Sequence, residues 1–164
     1  MRRLAAALLL ACAAAVACAA DTAEALFAAT FPGVDGKAVT LADYRGKPLV
    51  VNFWSRACPP CRTELPELSA LQKEFAVRGL VVLGIALEQP ENAKKVRDFL
   101  YAYEVDFPSL LAGGQGIELM QALGNEKALQ PFTLVVGSDG RVLSRKIGPF
   151  SRADFLSVLD RLLP

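Results

Sequence analysis

The chain has 164 residues, 53% of them hydrophobic and 21% charged, which suits one compact α/β domain preceded by a short leader. The net charge is +1, falling to −1 without Arg2 and Arg3, and no basic run marks a nucleic-acid partner. The absence of histidine excludes Ser-His-Asp and Cys-His hydrolases, histidine-ligated metal sites and haem held by a proximal histidine.

Residues 1–20 read as a secretory signal. Arg2 and Arg3 form a positive start, and Leu4 to Val16 is an apolar run too short for a comfortable membrane span. Ala17-Cys18-Ala19 and Cys18-Ala19-Ala20 both offer small residues for cleavage. Ala15-Val16-Ala17-Cys18 also fits a lipoprotein box, which makes Cys18 a candidate lipid anchor. On either reading Cys12 and Cys18 leave with the leader or its anchor. Residues 21–164 form the domain, with Cys58 and Cys61 as its redox pair.

Asp21 to Leu26 predicts a loose terminus or a first helical turn. Phe27 to Phe31 and Val39 to Leu41 predict two short strands around the Pro32-Gly33 turn. Ala42 to Pro48 predicts a loop with one helical turn. Leu49 to Trp54 is apolar except for Asn52 and predicts a central strand buried on both faces. Cys58-Pro59-Pro60-Cys61 follows, then a helix with Leu65, Leu68, Leu71 and Phe75 on one face and a kink at Pro66.

Leu80 to Leu87 predicts a second buried strand, parallel to the first through a βαβ crossover. Asn92 to Tyr103 predicts a helix, and Val105 to Leu111 an extended segment. Gly113-Gly114-Gln115-Gly116 predicts a flexible loop, because its spacing fits no nucleotide fingerprint. Ile117 to Leu123 predicts a short helix. Pro131 to Gly137 predicts a strand, Ser138-Asp139-Gly140 a turn, and Arg141 to Ile147 an outer antiparallel strand. Ser151 caps one final amphipathic helix.

The chemistry sits at the strand–helix junction. Cys58 falls at the helix N-cap, where the positive end of the helix favours its thiolate. Cys61 falls one turn on, close enough to close a small disulfide ring. Such a four-residue ring adds little stability by loop entropy, which favours redox use over a structural staple. A zinc site lacks the remaining ligands. Arg56 and Arg62 favour the thiolate, whereas Pro59 and Pro60 remove N–H donors from the first turn.

The run from Phe53-Trp54 through Cys58-Pro59-Pro60-Cys61-Arg62 to Glu64 and Pro66 resembles the thioredoxin superfamily. The lead-in from Phe31 to Pro48 and the Gly84-Ile85-Ala86 strand resemble its TlpA/ResA-like branch of exported thiol–disulfide oxidoreductases. The resemblance implies a thioredoxin-like fold: a central mixed sheet flanked by helices, with an N-terminal strand extension and a helical insertion. It implies Cys58 as nucleophile, Cys61 as resolving thiol, and a cis peptide bond between Gln130 and Pro131. It implies Trp54, Pro59, Pro60, Gln130 and Pro131 as the client-facing surface, and no cofactor.

Two positions depart from the family pattern. Ala57 replaces a large residue before the first cysteine, and Asn52 replaces the usual buried carboxylate. Glu88, at the end of the second buried strand, is the position that matches a proton acceptor for Cys61. The implied role is a periplasmic reductant of protein disulfides, in cytochrome c maturation or copper-site assembly, recharged by a membrane dithiol donor. A disulfide donor, a non-catalytic metal-site or binding module, and a peroxidase are the alternatives.

Overall fold

A computed structural model describes residues 22–163. The leader reading of residues 1–20, with Cys12 and Cys18, lies outside the described residues, as do both ends of the 21–164 domain. Among the described residues, no helix is long and apolar enough to cross a membrane.

Helix α1 (Glu24–Phe27) leads into strands β1 (Thr30–Pro32) and β2 (Ala38–Thr40), which pair antiparallel. Strand β3 (Leu49–Trp54) is followed by helix α2 (Pro59–Phe75) and strand β4 (Val81–Ala86). Then come α3 (Ala93–Ala102), β5 (Ser109–Leu111) and α4 (Gly113–Ala122). Strands β6 (Phe132–Val136) and β7 (Val142–Ile147) precede two short helices, α5 (Arg152–Leu156) and α6 (Leu159–Leu162). The main sheet runs β5-β4-β3-β6-β7, with β3, β4 and β5 parallel and β6 and β7 antiparallel. The β1–β2 pair is the N-terminal extension, and it touches the edge of the sheet through a Gly33–Leu110 bridge.

Every residue of β3 is buried, which fits a middle strand covered on both faces. Its side chains alternate between two cores. Val50 and Trp54 join α2, α3 and the C-terminal helices. Leu49, Val51 and Phe53 join α1 and α4. Asn52 shares a face with Val50 and Trp54, so it points toward α2. Leu65, Leu68, Leu71 and Phe75 seat that helix on the sheet, at roughly 1.5–3 kcal/mol for each large apolar side chain buried. The helix runs through Pro66 without a break.

Four expectations change. Phe27 closes a helix instead of opening a strand; Leu26 and Phe27 are buried, and the Ala23 N–H donates to the Gly140 carbonyl. Of the two readings for Asp21 to Leu26, the helical turn holds from Glu24. The Gly113–Gly116 segment is the first turn of α4 and not a loop. Gly116 is needed because a Cβ there would lie 2.5 Å from Leu87 and 2.9 Å from the Ala112 methyl, so the helix lies flat against its neighbours. The extended segment after α3 pairs only at Ser109–Leu111. The final helix divides in two, where the Ser157 hydroxyl donates to the Asp154 carbonyl at 2.6 Å and competes with the helical ladder.

Candidate active site

The C-terminal end of β3 delivers the chain to the helix start within four residues, and Cys58 becomes the N-cap of α2. Cys58 and Cys61 are joined in a disulfide. Pro59 and Pro60 occupy the first helical positions and carry no N–H. The first backbone donor that the Cys58 sulfur meets is therefore Cys61, whose N–H lies 3.3 Å from Sγ. Cys58 is 9% exposed and Cys61 is wholly buried. Of the two, Cys58 alone reaches the surface.

Strand β6 forms the other wall. Phe53 pairs with Phe132, so the antiparallel register carries Pro131 level with Trp54 at the cysteine end of the sheet. The Gln130–Pro131 bond is cis. The Pro131 carbonyl accepts from the Gly148 N–H, which ties this loop to the end of β7. Pro59 and Pro60 are exposed and Gln130 is half-buried. Trp54 does not reach the surface: it is wholly buried and stacks on Phe99 with ring centroids 5.4 Å apart. Its even position in β3 turns it into the core, so it supports the site from beneath and cannot touch a client.

Glu88 is placed by the last turn of chain after β4. Its carboxylate accepts from the Arg56 backbone N–H at 3.1 Å and from the Arg56 guanidinium at 2.9 Å. The Arg56 carbonyl in turn accepts from Arg62 Nε at 3.2 Å and Nη2 at 2.8 Å. These contacts pin the Ser55–Ala57 segment in front of Cys58. The Arg56 charge expected to favour the thiolate is shared with Glu88.

A second carboxylate lies on α2 itself, one turn beyond Cys61. Glu64 follows Cys61 by three residues, on the same buried face of α2. Its Oε1 accepts from Asn52 Nδ2 at 2.8 Å and from the Thr133 hydroxyl at 2.9 Å. Asn52 Nδ2 also lies 2.9 Å from that hydroxyl. Glu64 Oε2 is buried without a hydrogen-bond partner among the described residues. Burial pushes the Glu64 carboxyl up to about 7, against weaker downward pulls from Thr133 and the Phe150 main chain. The sequence carried a signal for this group: a glutamate interrupts the apolar stripe that runs from Cys61 through Leu65 to Leu68.

A buried N-cap cysteine pair beside a cis-proline loop and a high-pKa carboxylate is equipped for thiol–disulfide exchange. The AhpC/TSA family model matches residues 21–145. The structure superposes on a thiol:disulfide interchange protein of the thioredoxin family from Chlorobium tepidum with a TM-score of 0.71. That match has 30% identity and covers 83% of this chain and 93% of the other. The chain belongs to the AhpC/TSA family, in its thioredoxin-like branch. The thiol–disulfide oxidoreductase ResA of Bacillus cereus is 28% identical over 131 residues, which are 80% of this chain and 72% of that protein. The thioredoxin-like protein YneN of Bacillus subtilis is 29% identical over 127 residues, 77% of this chain and 72% of the relative. This member of the family is a thiol–disulfide oxidoreductase, and its Cys58 and Cys61 are joined as a disulfide.

Proposed function

We propose that this oxidoreductase is an exported reductant of disulfides in client proteins, with residues 1–20 as its leader and Cys18 as a candidate lipid anchor. The observation that carries the direction is the poverty of donors around Cys58. Among the described residues, two prolines leave its sulfur a single backbone N–H, from Cys61, and the Arg56 charge is shared with Glu88. A weakly stabilised thiolate makes the dithiol costly to keep and favours giving its electrons away.

The reduced protein attacks with the Cys58 thiolate. A bond forms from Cys58 Sγ to one client sulfur, the client disulfide breaks, and the departing client sulfur leaves as a thiolate that takes a proton from solvent. Glu64 accepts the Cys61 proton. The Cys61 thiolate then attacks Cys58 Sγ, which closes the enzyme disulfide and releases the second client sulfur. Two electrons pass from the enzyme dithiol to the client. Glu64 suits this step because a carboxyl near 7 can take or give a proton at neutral pH. Burial against Asn52 and Thr133 keeps it in place. A cavity of about 270 Å³, lined in part by Pro60, Glu64, Glu67 and Phe150, gives that proton a way out. Glu88, held by Arg56, acts as a clamp on the approach to Cys58. Pro59, Pro60 and Gln130 form the client-facing surface, and Pro131, expected there too, is buried.

The periplasm, a membrane dithiol donor and a haem- or copper-site client complete the reading. The test is the reduction potential of the Cys58–Cys61 couple, equilibrated against thiol buffers. A value near −270 mV, about that of thioredoxin, is expected; a value near −120 mV, about that of a strong oxidant, would overturn the reductant direction.

A further inference from the structure

A cleft of about 630 Å³ opens at Ala57, the residue before Cys58. That volume lies in the ordinary range of ligand sites, roughly 300–1,000 Å³. Its rim carries three cations, Arg56, Arg62 and Lys95, against one carboxylate, Glu88. Glu88 is already committed to Arg56 at 2.9 Å. Lys95 is exposed and makes no hydrogen bond or ion pair with the described residues. Arg56 Nε is buried in the same region without a partner. Two units of positive charge are thus left over in a concave surface one residue from the attacking sulfur.

The floor is aromatic. Phe99 stacks on Trp54 below and on Tyr103 beside it, with centroids 5.4 and 4.5 Å apart. Stacked rings fix this wall, so the cations stand over a surface that does not yield. Ala57 lines the cleft with only a methyl group, where a large side chain would fill part of it.

We propose that this cleft selects client polypeptides that carry an acidic residue about one to three positions from the target cysteine, at roughly 3.3 Å per extended residue. The proposal rests on the exchange chemistry of Cys58 and deepens it by naming the client class. The carboxylate meets Lys95 at the rim, and the extended chain lies along Phe99 and Tyr103 toward Cys58. Surplus charge in a cleft also draws such clients in before contact, which raises the association rate at low salt.

The test uses the pre-reduced protein in single-turnover reactions with three disulfide peptides that differ only in flanking residues: acidic, neutral and basic. Wild type is expected to reduce the acidic peptide about tenfold faster than the basic one at low salt, with the ratio collapsing toward one at high salt. Lys95→Gln lowers that ratio about twofold, and Lys95→Glu lowers it by threefold or more. The ratio is read within each variant, so any general change in reactivity divides out. Equal rates for the three peptides, or a ratio that Lys95→Glu leaves alone, overturns the inference. Glutathione disulfide reduced as fast as the acidic peptide overturns the polypeptide assignment in favour of a small anionic substrate. Failure to reduce any peptide sinks the exchange reading itself, and this inference with it.

Discussion

Glu64→Gln keeps the side-chain shape and the oxygen that Asn52 and Thr133 hold, and removes only the ionisation. In the folded protein the carboxyl is raised from 4.5 to about 7 by burial. At roughly 1.36 kcal/mol per pH unit, that displacement corresponds to about 3 kcal/mol as an upper value. Its sign follows from which state holds the proton more tightly. Below pH about 4.5 the group is protonated in both states and costs nothing. As the pH rises toward 7 the unfolded chain ionises and the folded one does not, so stability falls. Above about 7 the loss is complete. Urea unfolding of the oxidised protein between about pH 4 and pH 8 reads this directly, with wild type compared to Glu64→Gln at each pH. Other carboxylates, such as Glu24, Glu74 and Asp154, are held low by their partners and titrate at more acid pH in both proteins. The variant should therefore gain on wild type across this window, by up to about 3 kcal/mol. A difference that stays constant from pH 4 to pH 8 would refute both the buried carboxyl and its use as a proton acceptor.

Three further outcomes are expected. Cys61→Ser should trap client protein on Cys58, seen as a mass gain that reductant removes, whereas Cys58→Ser should trap none; equal trapping by both variants would contradict the assignment of Cys58 as nucleophile. Glu88→Gln should lower stability by about 1–2 kcal/mol, because Arg56 loses its charged partner. It should leave the ionisation near pH 7 in the pH–rate profile, while Glu64→Gln removes that limb and slows resolution by tenfold or more; the opposite pattern would return the proton acceptor role to Glu88. Gly84→Ala should cost about 1–3 kcal/mol in denaturant unfolding, since a methyl there meets the Ser109 hydroxyl at 2.7 Å, the Trp54 indole nitrogen at 3.0 Å and Phe107 at 3.1 Å. An unchanged midpoint would show that this packing yields.

Much of the frame was legible because its signals are local. Leu49 to Trp54 and the second apolar run read as buried strands, and Cys58-Pro59-Pro60-Cys61 marked the strand–helix junction. These follow from residue period and from cap and proline chemistry, which act over a few residues. Gly113–Gly116 was misread for the same reason: three close glycines look like a loop until Leu87 is seen lying where a Cβ would go.

The roles of the two glutamates were not legible, because each depends on partners far along the chain. Glu64 is high because it is buried under α2, where Asn52 on β3 and Thr133 on β6, 12 and 69 residues away in sequence, hold its Oε1. Glu88 pairs with Arg56 because β4 ends beside the loop that carries it, 32 residues earlier. Trp54 was expected at the surface and is buried, since the pleat of β3 turns it inward onto Phe99. The sequence by itself determined the exchange chemistry, through two cysteines at one helix cap and no histidine to offer another. The tertiary structure decided which carboxylate is buried against Asn52 and Thr133 and which cations line the cleft at Ala57, because burial and charge are properties of neighbours in space.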